Sequence, residues 1–258
     1  MRAAGIVALN TFREAVRDRV MYNLIFFAVL MIGSAVLVGQ ISVGIEHQVI
    51  INLGLTAISL FGLVMGVFIG VGLVSKEIEK RTLYALLAKP LRRWEFLLGK
   101  YVGLFITLAV NLLVMGIALF AALLYVDRTV VAGDGQIVTG VYFILLQLAL
   151  VTAIALLFST FSSVMLSAVF TICIYVAGTF APDIRSIGAL TGSAGLGFVT
   201  KVIYYLLPNF GNFNVIGAVA HGTAIPGSLV AENSVYAAGY ILAVMLVAAG
   251  IFENRNLK

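Results

Sequence analysis

The sequence carries little charge, one cysteine and two histidines. Only 10% of its 258 residues are Asp, Glu, Lys or Arg, whereas about 25% is usual for a soluble domain. The mean hydropathy is +1.13, and 62% of the residues are hydrophobic. A chain this apolar cannot be a soluble globular domain, so the bilayer is the solvent that dictates its architecture.

The scarcity of cysteine and histidine excludes several kinds of site. Cys173 stands alone, so neither an intramolecular disulfide nor a cysteine metal cluster can form, and we interpret it as a small buried hydrophobe. His47 and His221 are far apart in predicted loops, which excludes a zinc site of the HExxH type. We therefore expect no metal, cofactor or catalytic site on this chain, and no enzymatic activity of its own.

Long, continuous apolar runs predict six transmembrane helices in a single all-α membrane domain, residues 1–258. A span must satisfy its own backbone hydrogen bonds in hydrocarbon and needs about 20 apolar residues. The predicted spans are Val20–Val38, Val49–Val74, Tyr101–Val126, Val138–Phe158, Val164–Phe180 and Val235–Phe252.

The distribution of basic residues predicts the orientation. Of the 16 lysines and arginines, thirteen precede span one, separate spans two and three, or end the chain. Six spans place these segments on one side, which the positive-inside rule assigns to the cytoplasm. We predict a multi-pass protein of a bacterial or archaeal cytoplasmic (inner) membrane, with both termini in the cytoplasm. The net charge of +5 therefore indicates membrane topology and not nucleic-acid binding.

Two further segments flank the spans. Residues 1–19 predict an amphipathic helix lying in the cytoplasmic interface, because large apolar residues recur at helical spacing opposite a polar face; the alternative is a plain extension of span one. Residues 181–233 form a long outer segment that we expect to dip into the membrane as short re-entrant helices. The apolar residues of the first segment are Ile6, Leu9, Phe12, Val16 and Val20.

The cytoplasmic loop between spans two and three is the most informative segment. Residues 75–100 read SKEIEKRTLYALLAKPLRRWEFLLGK. We predict a short charged helix from about Ser75, which Pro90 ends because proline cannot continue the hydrogen-bond ladder. A second helix, Arg92–Lys100, then enters span three. Such an element suits docking of a partner, although charge alone also fits a basic loop that obeys the positive-inside rule.

The order of residues in this loop resembles the signature of ABC-2 type transporter permeases. Arg81 stands where many members have glycine, and the surrounding variant is similar to the branch that includes permeases of nitrous-oxide reductase maturation. The position of the loop and the long outer segment extend the resemblance to nearly the whole chain. The matching positions are Glu79, Thr82-Leu83, Leu86-Leu87, Pro90, Arg93, Leu97-Leu98 and Gly99-Lys100.

The resemblance implies that the loop is a coupling helix on which a separate ATPase docks. The chain has no P-loop, since its Gly99-Lys100 pair is followed by Tyr101, so ATP and Mg would be bound by the partner. The implied complex contains two ATPase subunits and a second permease copy, in a homodimer or a heterodimer, within membrane lipid. The implied coupling residues are Glu77, Glu79, Arg81, Thr82, Leu83, Leu86, Pro90 and Arg93.

Polar residues at helical spacing mark a candidate pathway. No acidic or basic residue lies near the centre of a predicted span, which argues against an ion-coupled transporter. We hypothesise that polar stripes of spans two and five line the pathway; the alternative is helix packing through small residues, which is favoured for the stripe Gly99, Gly103, Thr107 and Asn111 of span three. The hypothetical pathway residues are Asn52, Thr56, Ser59, Ser167, Thr171 and Tyr175.

The sequence therefore favours a permease that exports an amphipathic or lipid-like substrate, because the predicted pathway is polar but uncharged. A channel or secondary transporter without an ATPase is the first alternative. A membrane-embedded enzyme is disfavoured, since no nucleophile–base pair or metal constellation is visible. A subunit that transmits force without moving a substrate would carry the same coupling loop and stays open.

Overall fold

The computed structural model describes residues 2–17, 19–42, 44–79, 93–129, 133–190, 195, 200–202, 204, 205 and 207–254. Within these ranges every regular element is a helix, which confirms the prediction of an all-α membrane protein. The elements are α1 (Arg2–Val16), α2 (Arg19–Ile41), α3 (Glu46–Glu79), α4 (Arg93–Asp127), α5 (Gly135–Ser159), α6 (Val164–Thr179), α7 (Ala181–Leu190), a 3-10 helix (Phe210–Phe213), α8 (Ile216–Ala220) and α9 (Gly227–Asn254).

Five of these helices are long and apolar enough to cross a membrane, so the chain is a multi-pass integral membrane protein. Helix α4 has 35 residues, which corresponds to about 52 Å, whereas the hydrocarbon core is about 30 Å thick. This helix therefore projects beyond the hydrocarbon. The membrane-capable segments are Leu24–Ile41, Glu46–Gly72, Trp94–Asp127, Gly135–Ser159 and Gly227–Glu253.

Helix α6 corresponds to the predicted fifth span, Val164–Phe180, but it is short. Its 16 residues extend over about 24 Å, less than the hydrocarbon thickness. The helix ends before Pro182, which has no N–H to donate to the carbonyl of Gly178. The count of six spans therefore stays a prediction.

Two helix boundaries differ from the sequence-based prediction. Helix α3 runs without interruption to Glu79, so no separate helix begins near Ser75. Helix α9 begins at Gly227 and not near Val235, which shortens the predicted outer segment. Its first turns contain polar residues whose side chains are satisfied within the helix, since Asn233 and Ser234 donate hydrogen bonds to carbonyls four residues earlier, at 2.9 and 2.6 Å. A prediction from hydropathy therefore underestimates the length of a helix whose first turns are polar.

Helix α1 packs against the first turns of α4. A Cβ on Gly99 would lie 2.7 Å from the carbonyl oxygen of Ala4, and one on Gly103 would lie 2.6 Å from that of Ala8. The glycines thus permit contact between the two backbones. Because residues four apart on α1 meet residues four apart on α4 in the same order, the two helices run side by side in the same direction.

The face of α1 that packs differs from the face that hydropathy selects. Its buried residues are small or medium in size, whereas Ile6 and Leu9 of the predicted apolar face are exposed. An interfacial position for α1 therefore stays a prediction, but its protein neighbour is α4. The buried residues are Val7, Ala8, Thr11 and Ala15.

Helix α5 is the centre of the bundle and contacts α3, α4, α6 and α9. The glycines of α3 face it: added Cβ atoms on Gly66 and Gly70 would lie 3.4 Å from the Thr152 methyl and 3.2 Å from the Ala155 Cβ. The glycine run of α3 therefore packs within this chain. Cys173 was predicted to be buried, but it is exposed, on the side of α6 that faces away from the bundle.

Candidate functional site

A polar cavity opens between α3, α5, α6 and the segment from Phe210 to Gly217. Its volume is about 400 Å³. None of its lining residues is charged, and hydroxyl and amide groups alternate with apolar side chains. The lining residues are Asn52, Thr56, Ser59, Leu60, Leu63, Gln147, Tyr175, Thr179, Phe210, Asn214, Ile216 and Gly217.

Helix α3 supplies one wall of the cavity. Asn52, Thr56 and Ser59 are four and three residues apart and therefore share a face of the helix. Leu55 and Ile58 lie on the adjoining face and are buried in the core. The apolar face anchors the helix, so the polar face is left toward the cavity.

Helices α5 and α6 supply the opposite wall. The Gln147 side-chain amide donates a 2.9 Å hydrogen bond to the Tyr175 hydroxyl. The ring of Tyr175 packs on that of Phe210, with 5.2 Å between their centroids. One turn along α6, the Thr179 hydroxyl donates to the carbonyl of Tyr175 at 2.8 Å. This wall holds its polar groups in fixed positions.

The segment around Phe210 is fixed by α6 and α9. A Cβ on Gly178 would collide with the carbonyl oxygen of Pro208, so only glycine allows this approach of the two backbones. The backbone N–H of Asn209 donates to the hydroxyl of Tyr236 at 2.8 Å. These contacts place the 3-10 helix at the end of the cavity.

The structure brings four of the six hypothetical pathway residues together at this cavity: Asn52, Thr56, Ser59 and Tyr175. Ser167 and Thr171 do not line it. Both are buried, and the Thr171 hydroxyl donates to the carbonyl of Ser167 at 2.7 Å.

Sequence reasoning placed Thr179 in the polar stripe of span five and missed two other polar residues of the cavity, Gln147 and Asn214. Gln147 had a readable signal, because it is an amide inside an otherwise apolar helix whose mean hydropathy is 2.5. Thr179 continued the recognised stripe of α6. Asn214 had no such signal, since its position depends on the folding of the segment after residue 207.

Most of the predicted coupling residues lie outside the part of the chain that the structure describes. Glu77 and Glu79 fall in the last turn of α3, and Arg93 is the first residue of α4. The others lie outside the described residues, so their role stays a prediction. These are Arg81, Thr82, Leu83, Leu86 and Pro90.

A cluster of one histidine and two aspartates joins three helices where α3 begins. His47 was predicted to lie in a loop, but it lies in the first turn of α3. Its Nδ1 is 2.7 Å from Asp127 Oδ2, and its Nε2 is 3.3 Å from Asp134 Oδ1. The imidazole therefore bridges the end of α4 and the start of α5.

Comparison with known protein families identifies a family that covers this chain. The family described as ABC-2 family transporter protein matches residues 6–257, nearly the whole chain. No curated protein matches the chain. The match agrees with the family resemblance drawn from residues 75–100, while the nitrous-oxide reductase branch stays a prediction.

Proposed function

Because the chain belongs to the ABC-2 transporter family, we propose that this permease subunit exports an amphipathic or lipid-like substrate through the polar cavity. The observation that carries the proposal is that polar side chains gather at one open cavity within an apolar bundle.

The lining of the cavity supports an amphipathic substrate. Asn52, Gln147 and Asn214 offer amide donors and acceptors, while Leu63 and Phe210 offer apolar contacts. A polar head and an apolar tail would each find matching groups. An ion-coupled pathway usually contains acidic or basic side chains, and none lines this cavity.

The energy for export would come from a separate ATPase. We place residues 75–100 and both termini in the cytoplasm, where the loop would dock on that subunit. Two ATPase copies, which bind ATP and Mg, and a second permease copy would complete the transporter. The absence of a P-loop in the sequence supports this division of labour.

Co-purification of a partner tests the proposal. The tagged chain is extracted from its native membrane in mild detergent, and the proteins bound to it are identified by mass spectrometry. Wild type is compared with Glu79→Lys plus Leu83→Asp, which inverts one charge and introduces a charge at one apolar position of the predicted coupling loop. Lys201→Glu is the matched control, because it inverts an exposed charge in the predicted outer segment.

We expect an ATPase to bind wild type and the Lys201 variant but not the loop variant. If a well-folded wild type captures no ATPase, the chain is better explained as an autonomous channel or secondary transporter. If the ATPase binds but proteoliposomes containing the complex move no amphipathic probe, a force-transmitting subunit replaces the exporter.

A further inference from the structure

A second cavity lies between α1 and the first turns of α4. Its volume is about 210 Å³, and it shares no lining residue with the polar cavity. Its wall includes Arg13 and Lys100, and its rim includes Ile6 and Leu9. The role proposed for the polar cavity does not use any of these residues.

The lysine of this cavity is enclosed by protein. The Lys100 side chain is 2% exposed, and its Nζ lies 5.6 Å from the centre of the Phe96 ring and 3.8 Å from Glu14 Oε2. Glu14 is 56% exposed, so its carboxylate can turn into water when another anion approaches Lys100.

Hydrogen-bond donors surround the same space. Arg13 and Asn10 line the cavity with exposed side chains. Thr11 also lines it, and its buried hydroxyl has no hydrogen-bond partner among the described residues. A buried hydroxyl without a partner is destabilising, and a phosphate oxygen that reached it would accept the missing bond. The two cations, Arg13 and Lys100, outnumber the one carboxylate, that of Glu14, so the site carries a net positive charge.

The rim of the cavity is strongly apolar. Ile6 is 70% exposed and Leu9 is 52% exposed. Because α4 is longer than the hydrocarbon is thick, and because Arg13, Glu14 and Lys100 lie at this level, the cavity falls at a membrane boundary. Exposed apolar side chains beside a cationic cavity match the two parts of a lipid, its acyl chains and its headgroup.

We propose that this cavity binds the phosphodiester of an anionic phospholipid. Lys100 and Arg13 contact the phosphate, Asn10 and Thr11 donate hydrogen bonds to it, and the acyl chains lie over Ile6 and Leu9. Bound lipid joins α1 to α4 at their shared seam. Inorganic phosphate would satisfy the cations but would leave the apolar rim unused.

Native mass spectrometry of the full chain in detergent tests this site. Dioleoylphosphatidylglycerol and dioleoylphosphatidylcholine are titrated separately onto wild type, Arg13→Gln and the double variant Arg13→Gln plus Lys100→Met. Arg17→Gln is the matched control, because it removes an exposed charge directly after α1 that does not line the cavity. Thermal denaturation verifies that each variant is folded.

We expect wild type and the Arg17 variant to retain one phosphatidylglycerol in preference to phosphatidylcholine. The double variant should lose about tenfold or more in affinity for the anionic lipid, since each basic residue near a membrane contributes to its attraction. If the double variant does not fold, the exposed Arg13→Gln change alone should still weaken phosphatidylglycerol binding severalfold, and wild-type affinity in that variant would refute the site.

Equal retention of the two lipids, or wild-type affinity in a folded double variant, would overturn the proposal. A parallel titration with inorganic phosphate separates the two sources of the anion. Displacement of phosphatidylglycerol by inorganic phosphate at similar concentration would make this a free-anion site and would also refute lipid binding.

Discussion

Two stripes of this protein have similar helical spacing and opposite surroundings. On α3, Asn52 and Thr56 face an open cavity. On α4, the stripe that begins with Gly99 and Gly103 is sealed by α1. Farther along α4, the Asn111 side-chain amide lies 3.8 Å from the sulfur of Met65 and is buried. Spacing therefore identifies which residues share a face but not what lies opposite that face.

The size of the side chains explains much of the difference between the sealed stripe of α4 and the open stripe of α3. Glycines on α4 let the backbone of α1 come into contact, so the seam closes. The cavity face of α3 begins with an asparagine and a threonine, and a tyrosine paired with Gln147 stands opposite. Helix α6 combines both situations, because Tyr175 and Thr179 reach the cavity while Ser167 and Thr171 are buried.

A large residue at the α1–α4 seam should produce the largest effect. In Gly103→Val, the new Cβ would lie 2.6 Å from the Ala8 carbonyl oxygen and 2.7 Å from the Thr11 Cβ. Because the Ala8 carbonyl is part of the backbone and cannot move aside as a flexible side chain can, we expect a loss of about 3 kcal/mol in stability, the upper end of the usual cost of overpacking, or failure of α1 to dock. The thermal midpoint in detergent and protease sensitivity near residue 17 measure this change.

Gly33→Val is the control for the seam variant, since an added Cβ at Gly33 meets nothing within 4 Å. It introduces the same residue in a helix at an open position. Similar thermal midpoints for the two variants would contradict the sealed seam.

Thr171→Leu tests whether the buried part of the α6 stripe belongs to the pathway. Thr171 is buried, and its hydroxyl donates to the carbonyl of Ser167. A longer side chain would overpack this site, and we expect a loss of about 1–3 kcal/mol in stability. The thermal midpoint measures that loss.

Thr171→Val is the companion to the leucine variant, because it keeps the shape and removes only the hydroxyl. Transport by the valine variant should remain close to wild type. A large loss of transport in a stable valine variant would place Thr171 on the pathway, as the sequence pattern alone suggested.

The sequence predicted the spans better than their ends. Apolar runs identify five spans because the hydrocarbon leaves the backbone no alternative partner. It could not predict that α9 begins at Gly227, because the first turns of this helix contain polar residues, Asn233 and Ser234 among them, that hydropathy assigns to a loop. The packed face of α1 was also missed, because alanine and threonine contribute little to hydropathy although they fit against glycine.

The sequence likewise predicted one part of the cavity lining, the polar face of α3, but not how far the cavity extends along α6. Periodicity selected the face of α3 that lines the cavity, because a helix fixes the direction of each side chain. It could not show how far along α6 the cavity extends, so Ser167 and Thr171 were grouped with Tyr175. The bridge from His47 to Asp127 and Asp134 joins three helices and was invisible to any local pattern.

The same substitution in the two stripes compares them directly. Asn52→Leu removes an amide from the cavity wall, and we expect ATP-dependent transport of an amphipathic probe to fall about tenfold, the equivalent of one hydrogen bond. Asn111→Leu alters a sealed position and should leave transport near wild type. Proteoliposomes that contain the permease and its co-purified ATPase supply the measurement, and equal losses in both variants would remove the distinction between the stripes.

Ser167→Ala should produce the smallest effect, and its sign is informative. The Ser167 hydroxyl is buried without a hydrogen-bond partner among the described residues. Removing an unsatisfied hydroxyl from a sealed position avoids its desolvation cost, so we expect the thermal midpoint to stay constant or to rise slightly. Ser59→Ala, on the cavity wall, is the matched change and should leave stability unchanged while it lowers transport. If Ser167→Ala instead lowers transport and Ser59→Ala does not, the open and sealed parts of the polar stripes have been assigned the wrong way round.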